Sequence, residues 1–276
     1  MTWHAKLDID YQVESARTVA RHQHSGPLRL LQSLYPEGDA ICHNVLVHPP
    51  GGLVGGDTLD ISVTASGHAH GLITTPGATR FYRSAGDLAV QQTHISLHDQ
   101  ARFEWLPLEA ICHSGCLAQN RLTLALGAHA EFLGWDITAF GLPGAGLPFV
   151  NGGFLQHIEV PGVWLERGHV DAADSRLMDG PLGLAGQRCM ASLFFVTGTI
   201  LERHRREAGL ELAREIIASY ALQTTAGATC PNPQVMVVRV LSPLVEPATD
   251  LLRRVWVAWR AHFWQLPATA PRIWST

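Results

Sequence analysis

Three groupings of side chains in this sequence have the types and spacing to do chemistry. The first is HPPGGLVGGDTLDI, His48 to Ile61, where Gly51, Gly52, Gly55 and Gly56 bracket a Leu-Val pair and Asp57 follows. A phosphate-binding loop of the P-loop type needs a lysine and a hydroxyl directly after its last glycine. Here that position is Asp57, whose charge repels a phosphate, and no lysine is near. A dinucleotide loop must open a helix, whereas this stretch opens a strand with apolar residues at Leu59, Ile61 and Val63. The glycines therefore read as a tight corner using positive φ and close backbone approach, stiffened by Pro49-Pro50. Such a corner sets Asp57 at the mouth of a strand, either as a turn cap or as a carboxylate in a polar channel.

The second grouping is CHSGC, with Cys112, His113 and Cys116. Two thiols and an imidazole suit zinc, nickel or copper(I), but a closed zinc site wants four ligands and no second cysteine pair follows. A surface loop with incidental cysteines is the plainer alternative. The third is TTPGATRFYRS, where Thr74, Thr75, Tyr82, Arg83 and Ser84 could hold an anion or a partner's loop, or form an ordinary polar turn before an aromatic strand. The pairs His22/His24 and His68/His70 would each share a strand face. Glu104, Glu109 and Glu166 could serve as acid or base, yet nothing pairs them in sequence, and neither G-x-S-x-G nor H-E-x-x-H occurs.

These side chains need a frame. The 276 residues are 46% hydrophobic, enough for a sizeable core, while the charged fraction of 16% is well below the roughly 25% usual for soluble domains. A surface so poor in charge suits partial cover by other chains. The net charge of −4 gives no reason to expect nucleic acid or an anionic membrane as partner. The first residues lack the apolar core of a signal peptide, and the apolar run MASLFFV is far too short to span a bilayer. Five cysteines at irregular spacing make no disulfide framework, so the expected location is the reducing cytoplasm.

From about Asp8 to Thr197 the chain reads as short strands separated by Gly/Pro/Asn breaks, with FGLPGAGLPFVNGG as a long loop or flap. A weak repeat aligns Ile61, Ile95 and Leu122, and, eleven residues on, Leu72, Leu106 and Leu133, at offsets of 34 and 27 residues. A degenerate fourth copy falls on His157 to Val170. Near-repetition of this length suggests stacked coils, with an ordinary sandwich or barrel as the alternative. The C-terminal third reads as a helix over 201–222, a buried strand over 233–242 and a helix over 247–266 capped by Thr249 or Asp250. No linker separates the parts. The expectation is one domain over 1–276, a β-rich body over 1–199 and a helix–strand–helix part over 200–276: mainly β, a solenoid-like stack with two C-terminal helices.

The blocks GPLRLLQSLYPEG, CHNVLVHPPGGLVGGDTLDI, LITTPGATRFYRS, FEWLPLEAI, FLGWDI and WLERGHV, in this order, closely resemble the urease accessory protein UreD (UreH) family, from about Gly26 to Thr199. The resemblance implies a β-helical stack and a non-catalytic scaffold that binds urease apoprotein and UreF, with the GTPase UreG joining through UreF. It further implies nickel delivery to urease through a polar tunnel, so that nickel(II) is transient cargo and no cofactor is tightly bound. Carried over residue by residue, Asp57 and Glu166 are the expected nickel-path carboxylates. Arg167 completes the Glu-Arg pair, and the four glycines, Thr74, Thr75 and Tyr82–Ser84 belong to the family's motifs. Cys112, His113 and Cys116 depart from the pattern, as drift or as an added nickel-holding site. The competing expectations are a metal-dependent hydrolase using Asp57 and Glu166 as acid and base, and an assembly clamp that never touches nickel.

Overall fold

A computed structural model describes residues 2–275. The chain opens with an antiparallel hairpin, β1 (His4–Glu14) and β2 (Arg17–Ser25), then a two-residue β3 (Arg29–Leu30) and β4 (Ile41–Val47). Three coils follow. The first is β5 (Thr58–Ala65), β6 (His70–Thr74) and β7 (Thr79–Phe81); the second is β8 (Ala89–Leu97), β9 (Arg102–Leu106) and β10 (Ala110–Cys112). The third is β11 (Cys116–Leu126) and β12 (Glu131–Leu142), after which the expected flap folds back as β13 (Leu147–Pro148) against the end of β12. β14 (Gly152–Val160) and β15 (Trp164–Asp171) form a hairpin. A short α1 (Ser175–Asp179), β16 (Cys189–Thr197), α2 (Arg203–Ala218), the hairpin β17 (Ala226–Asn232) and β18 (Val235–Ser242), and α3 (Val245–Trp259) complete the order.

The first two coils each contribute one strand to a small sheet and two to a large one, and the third contributes β11 and β12 to the same two sheets. The small sheet runs β15-β14-β11-β8-β5-β1-β2, and the large one runs β17-β18-β16-β12-β9-β6-β4-β3 with β7, β10 and β13 attached. Neighbouring coils pair in parallel, as β5 with β8 and β6 with β9, so the stack is a β-solenoid. Alternation follows: Leu59, Ile61, Val63 and Ala65 of β5 are buried while the residues between them are half-exposed. The inner faces of the two sheets enclose one core, with Phe103, Phe132, Phe154 and Phe194 fully buried. The outer face of the large sheet, through Leu133, Leu193 and Val238, packs on α2 and α3 in a second core with Trp256 and Trp259.

The repeat is real, but its register differs from the alignment read in the sequence. Ile61 pairs with Thr93, not Ile95, and Thr93 with Leu122. In the large sheet Leu72 pairs with Glu104, and Glu104 with Leu133. The slip is two residues, which preserves the face of every side chain and so escapes an apolar pattern. The fixed points are the corner turns, where Ala69, Ala101 and Ala130 each donate to the carbonyl three residues back and are all fully buried. The supposed fourth copy is half a coil: β14 stacks on β11, then the chain reverses into β15.

Two details of the C-terminal part also differ. A hairpin, not a single strand, separates the helices. α3 begins at Val245, because Pro247 in a first turn costs no hydrogen bond; Asp250, expected as a cap, instead pairs with Arg254 and accepts from Tyr220 Oη at 2.8 Å. His68 and His70 share no face either: His68 sits exposed in a corner turn and His70 is buried on β6.

Candidate functional site

The glycine corner works as the residue types dictate. Gly51 and Gly56 have φ of 77° and 90°, which glycine alone adopts freely. Gly52 and Gly55 need the missing side chain instead: a Cβ on Gly52 would meet the Tyr82 ring and lie 2.7 Å from Arg80 O, and one on Gly55 would meet Ser84 Oγ and lie 2.8 Å from Asp87 O. The HPPGG and FYRS motifs are thus one packed unit, joined by Leu53 N to Arg80 O (2.7 Å) and Tyr82 N to Leu53 O (2.8 Å). Gly52→Ala should therefore lower stability by about 1–3 kcal/mol, read in urea unfolding; an unchanged midpoint would show that the two loops do not depend on each other.

Asp57 is buried, with both oxygens occupied. Oδ1 accepts from Trp3 N at 2.8 Å and Oδ2 from Val54 N at 2.9 Å, so the carboxylate ties the corner to the segment leading into β1. Burial pushes the pKa of nearby His48 down, and the Asp57 charge pulls it only part of the way back. His48, Gly51, Gly52, Thr75 and Gln91 line a cavity of about 240 Å3, and His48 Nε2 is buried without a partner. The threonine hydroxyls bind coil to coil: Thr74 Oγ1 donates to Leu106 O (2.7 Å) and accepts from Trp274 Nε1 (2.7 Å), and Thr75 Oγ1 accepts from Leu108 N (2.9 Å).

CHSGC divides by face. Cys112 is fully buried in an interior column with Leu53, Phe81 and Phe140; burial, with the Cys116 thiol beside it, pushes its thiol well up. Cys116 is also fully buried, after a turn in which its N–H donates to His113 O (3.0 Å). The His113 ring stacks on Tyr82 at 4.9 Å, its pKa lowered by burial and then by Arg80. Arg83 lies exposed, its side chain against Gly115. Among the described residues, no group of three or more His, Cys, Asp and Glu side chains stands close enough together to hold a metal ion.

Glu166, on the inward face of β15, accepts from Arg239 through Nε at 3.0 Å and through Nη2; Arg167 beside it is exposed. The structure does not bring Asp57 and Glu166 together. β5 and β15 stand four strand steps apart in the small sheet, roughly 19 Å at about 4.8 Å per step. An acid and a base acting on one bond stand within about 10 Å, so this pair does not make a hydrolytic site.

What Glu166 does neighbour is a buried carboxylate that sequence reasoning missed. Asp136, inward on β12, accepts from Asn120 Nδ2 (2.6 Å), Gln156 Nε2 (2.7 Å) and Thr138 Oγ1 (3.3 Å). All these donors are neutral. Burial raises its pKa to about 6, against the pull of Gln156, Thr138 and Asn120, with Glu166 adding to the rise. Gln91, Asn120 and Gln156 occupy one register row of the small sheet, and Gln91 Nε2 lies 3.4 Å from Asn120 Oδ1. Asp136, Ser192 and Arg239 occupy the facing row of the large sheet. A hydrogen-bonded row of amide and carboxylate side chains thus crosses the interior from the cavity beside the glycine corner to Asp136 and Gln156, with Glu166 near enough at the far edge to act on Asp136 by its charge. One signal was visible: Asp136 is a lone carboxylate between apolar neighbours in FLGWDITAF.

Fold and site together define a class: a parallel β-solenoid, covered on one face by helices and threaded by a polar row. The chain belongs to the urease accessory protein UreD family, whose profile matches residues 4–275. It is 68% identical to the urease accessory protein UreD of Polaromonas naphthalenivorans over 275 residues, covering all of both chains. Those of Variovorax paradoxus and Leptothrix cholodnii are 66% and 50% identical, again over the full length of each. No helix among the described residues is long and apolar enough to cross a membrane.

Proposed function

We propose that this accessory protein assists nickel loading of urease by passing the ion through its interior, from the cavity beside the glycine corner, along Gln91, Asn120, Asp136 and Gln156, to Glu166. The observation that carries this reading is Asp136: a buried carboxylate held by neutral amide and hydroxyl donors, with no cation bonded to it among the described residues. Nickel(II) accepts carboxylate and amide oxygen, so such a row offers successive weak stations and no trap. Asp57 has its oxygens spent on backbone amides and contributes as the charge beside His48. The scaffold is non-catalytic and works in the cytoplasm with urease apoprotein, UreF and, through UreF, UreG; five free cysteines accord with that compartment. Cys112 and Cys116 belong to the core in this reading.

The test is Asp136→Asn in cells carrying the urease genes. Urease should lose most of its nickel and activity while this chain still copurifies with its partners. Full nickel content in the variant would end the route and favour a clamp that shapes urease without handling the metal.

A further inference from the structure

Glu166 already has a cation on one of its two oxygens. One of its oxygens, Oε2, takes both Nε and Nη2 of Arg239, while Nη1 of the same guanidinium donates to Thr229 Oγ1 at 3.2 Å. The pair is a bridge between the sheets: Glu166 comes from the last strand of the small sheet and Arg239 from the next-to-last strand of the large one. Asn232 Nδ2 donates to Val163 O at 3.2 Å and makes a second link between the same two hairpins. Within the large sheet Arg239 stands in register with Ser192, and Ser192 with Asp136. Two strand steps, about 10 Å between backbones, therefore separate Arg239 from Asp136, and no ion pair joins the two. The row holds two carboxylates and one cation, and the cation sits at the outer of the two.

The side chains are 44% exposed for Arg239 and 23% for Glu166. A pair that open to water is held only weakly, because solvent screens the charges and both side chains lose freedom in the pairing. It can exchange. A guanidinium and a metal ion seeking the same oxygen exclude each other by repulsion. Arg239 is also anchored at Thr229, so on release it has a neutral partner nearby and does not need to be expelled into solvent.

We propose, on the footing of the interior route above, that Arg239 is a tethered counter-cation that occupies the cation position at Glu166 and closes that end of the row, so that a divalent metal ion takes Glu166 only by displacing the guanidinium. The chain alone then holds the ion poorly at its outer end. Outward flow is restrained until Arg239 is drawn off.

The experiment is calorimetric titration of the purified full-length protein with nickel(II) alone, for the wild type, Arg239→Gln, Glu166→Gln and the double variant. Arg239→Gln should bind nickel at least about tenfold more tightly than the wild type, and the gain should vanish in the double variant. Equal affinity for Arg239→Gln and wild type would overturn the proposal, as would a gain that survives removal of Glu166. Thermal melting checks that each variant is folded. Should Arg239→Gln not fold, Arg239→Lys, which keeps the charge but loses the fork, should show a smaller gain of the same sign, and no gain would count against the proposal. The two readings fail separately. Full nickel loading of urease with Asp136→Asn ends the route, whereas unchanged affinity on Arg239→Gln, with Asp136→Asn still blocking delivery, ends only the role of Arg239.

Discussion

Arg260→Met will cost the protein about 3–5 kcal/mol at pH 7, the range for removing one partner from a buried ionic network. Arg260 is fully buried at the end of α3, where a π turn over Arg260–Trp264 continues the helix. Its Nη2 lies 2.9 Å from Glu37 Oε2 and its Nε 3.4 Å from Glu104 Oε1. Glu104, itself fully buried, also meets His70 Nε2 at 2.8 Å and Trp256 Nε1 at 2.6 Å, and Glu37 meets His43 Nε2 at 2.8 Å. Methionine conserves bulk, so the loss is one of charge: two carboxylates stay inside the protein with only imidazoles and an indole to answer them. Burial raises the Glu37 pKa, but the bonds from His43 and Arg260 outweigh it and hold it below the usual carboxylate range. In the wild type that stabilisation is present above the unfolded carboxylate pKa and is lost as pH falls through the lowered one. The variant should behave oppositely, because protonating the stranded carboxylates relieves them. Urea unfolding at pH 7 and pH 5 measures this. A deficit that does not shrink at the lower pH would mean that packing, not charge, was lost.

Asp136→Asn should do the reverse at neutral pH and make the fold more stable. The Asp136 carboxyl has a pKa of about 6 in the folded chain against an ordinary 3.8. The folded state therefore binds this proton more tightly than the unfolded state. That contribution is fully present below about 3.8 and is lost as pH rises through about 6. Above pH 7 the buried charge costs about 3 kcal/mol, at about 1.4 kcal/mol for each tenfold change in proton affinity. The asparagine variant should gain up to that amount at pH 7–8, reduced by whatever amide rearrangement Asn120 and Gln156 must make, and should match the wild type near pH 4. Urea midpoints across pH 4–8 read this directly. A variant less stable than the wild type at pH 8 would mean that the amide donors fully compensate the carboxylate. Together with the expected loss of nickel delivery, the gain would mark Asp136 as a residue kept at the expense of stability.

Much of this frame was legible because its signals are local. The glycine corner, the alternating strands and the two long C-terminal helices each depend on neighbours a few residues apart. The repeat was visible but two residues out of step, since Leu106 matches Leu72 in character and Glu104, the true partner, does not. Asp136 escaped notice because β12 is buried on both faces from Phe132 to Gly141, so no alternation flags the inward positions. The Arg260 network could not be assembled from the sequence: Glu104 and His70 were noted singly, but its members come from four separate segments. Cys112 and His113, adjacent in sequence, part company because β10 ends at Cys112 and His113 begins the turn to β11.

The ion pair between Glu37 and Arg260 spans 223 residues, and this sets a condition on the order of synthesis. A ribosome adding about 5–20 residues per second delivers Arg260 roughly 10–45 s after Glu37. Until then Glu37 and Glu104 lack the guanidinium that joins them, although α2 and most of α3 have already been made. A nascent chain stalled short of Arg260 therefore holds Glu37 and Glu104 with only His43, His70 and Trp256 against them, and the joining of the two acids waits for Arg260.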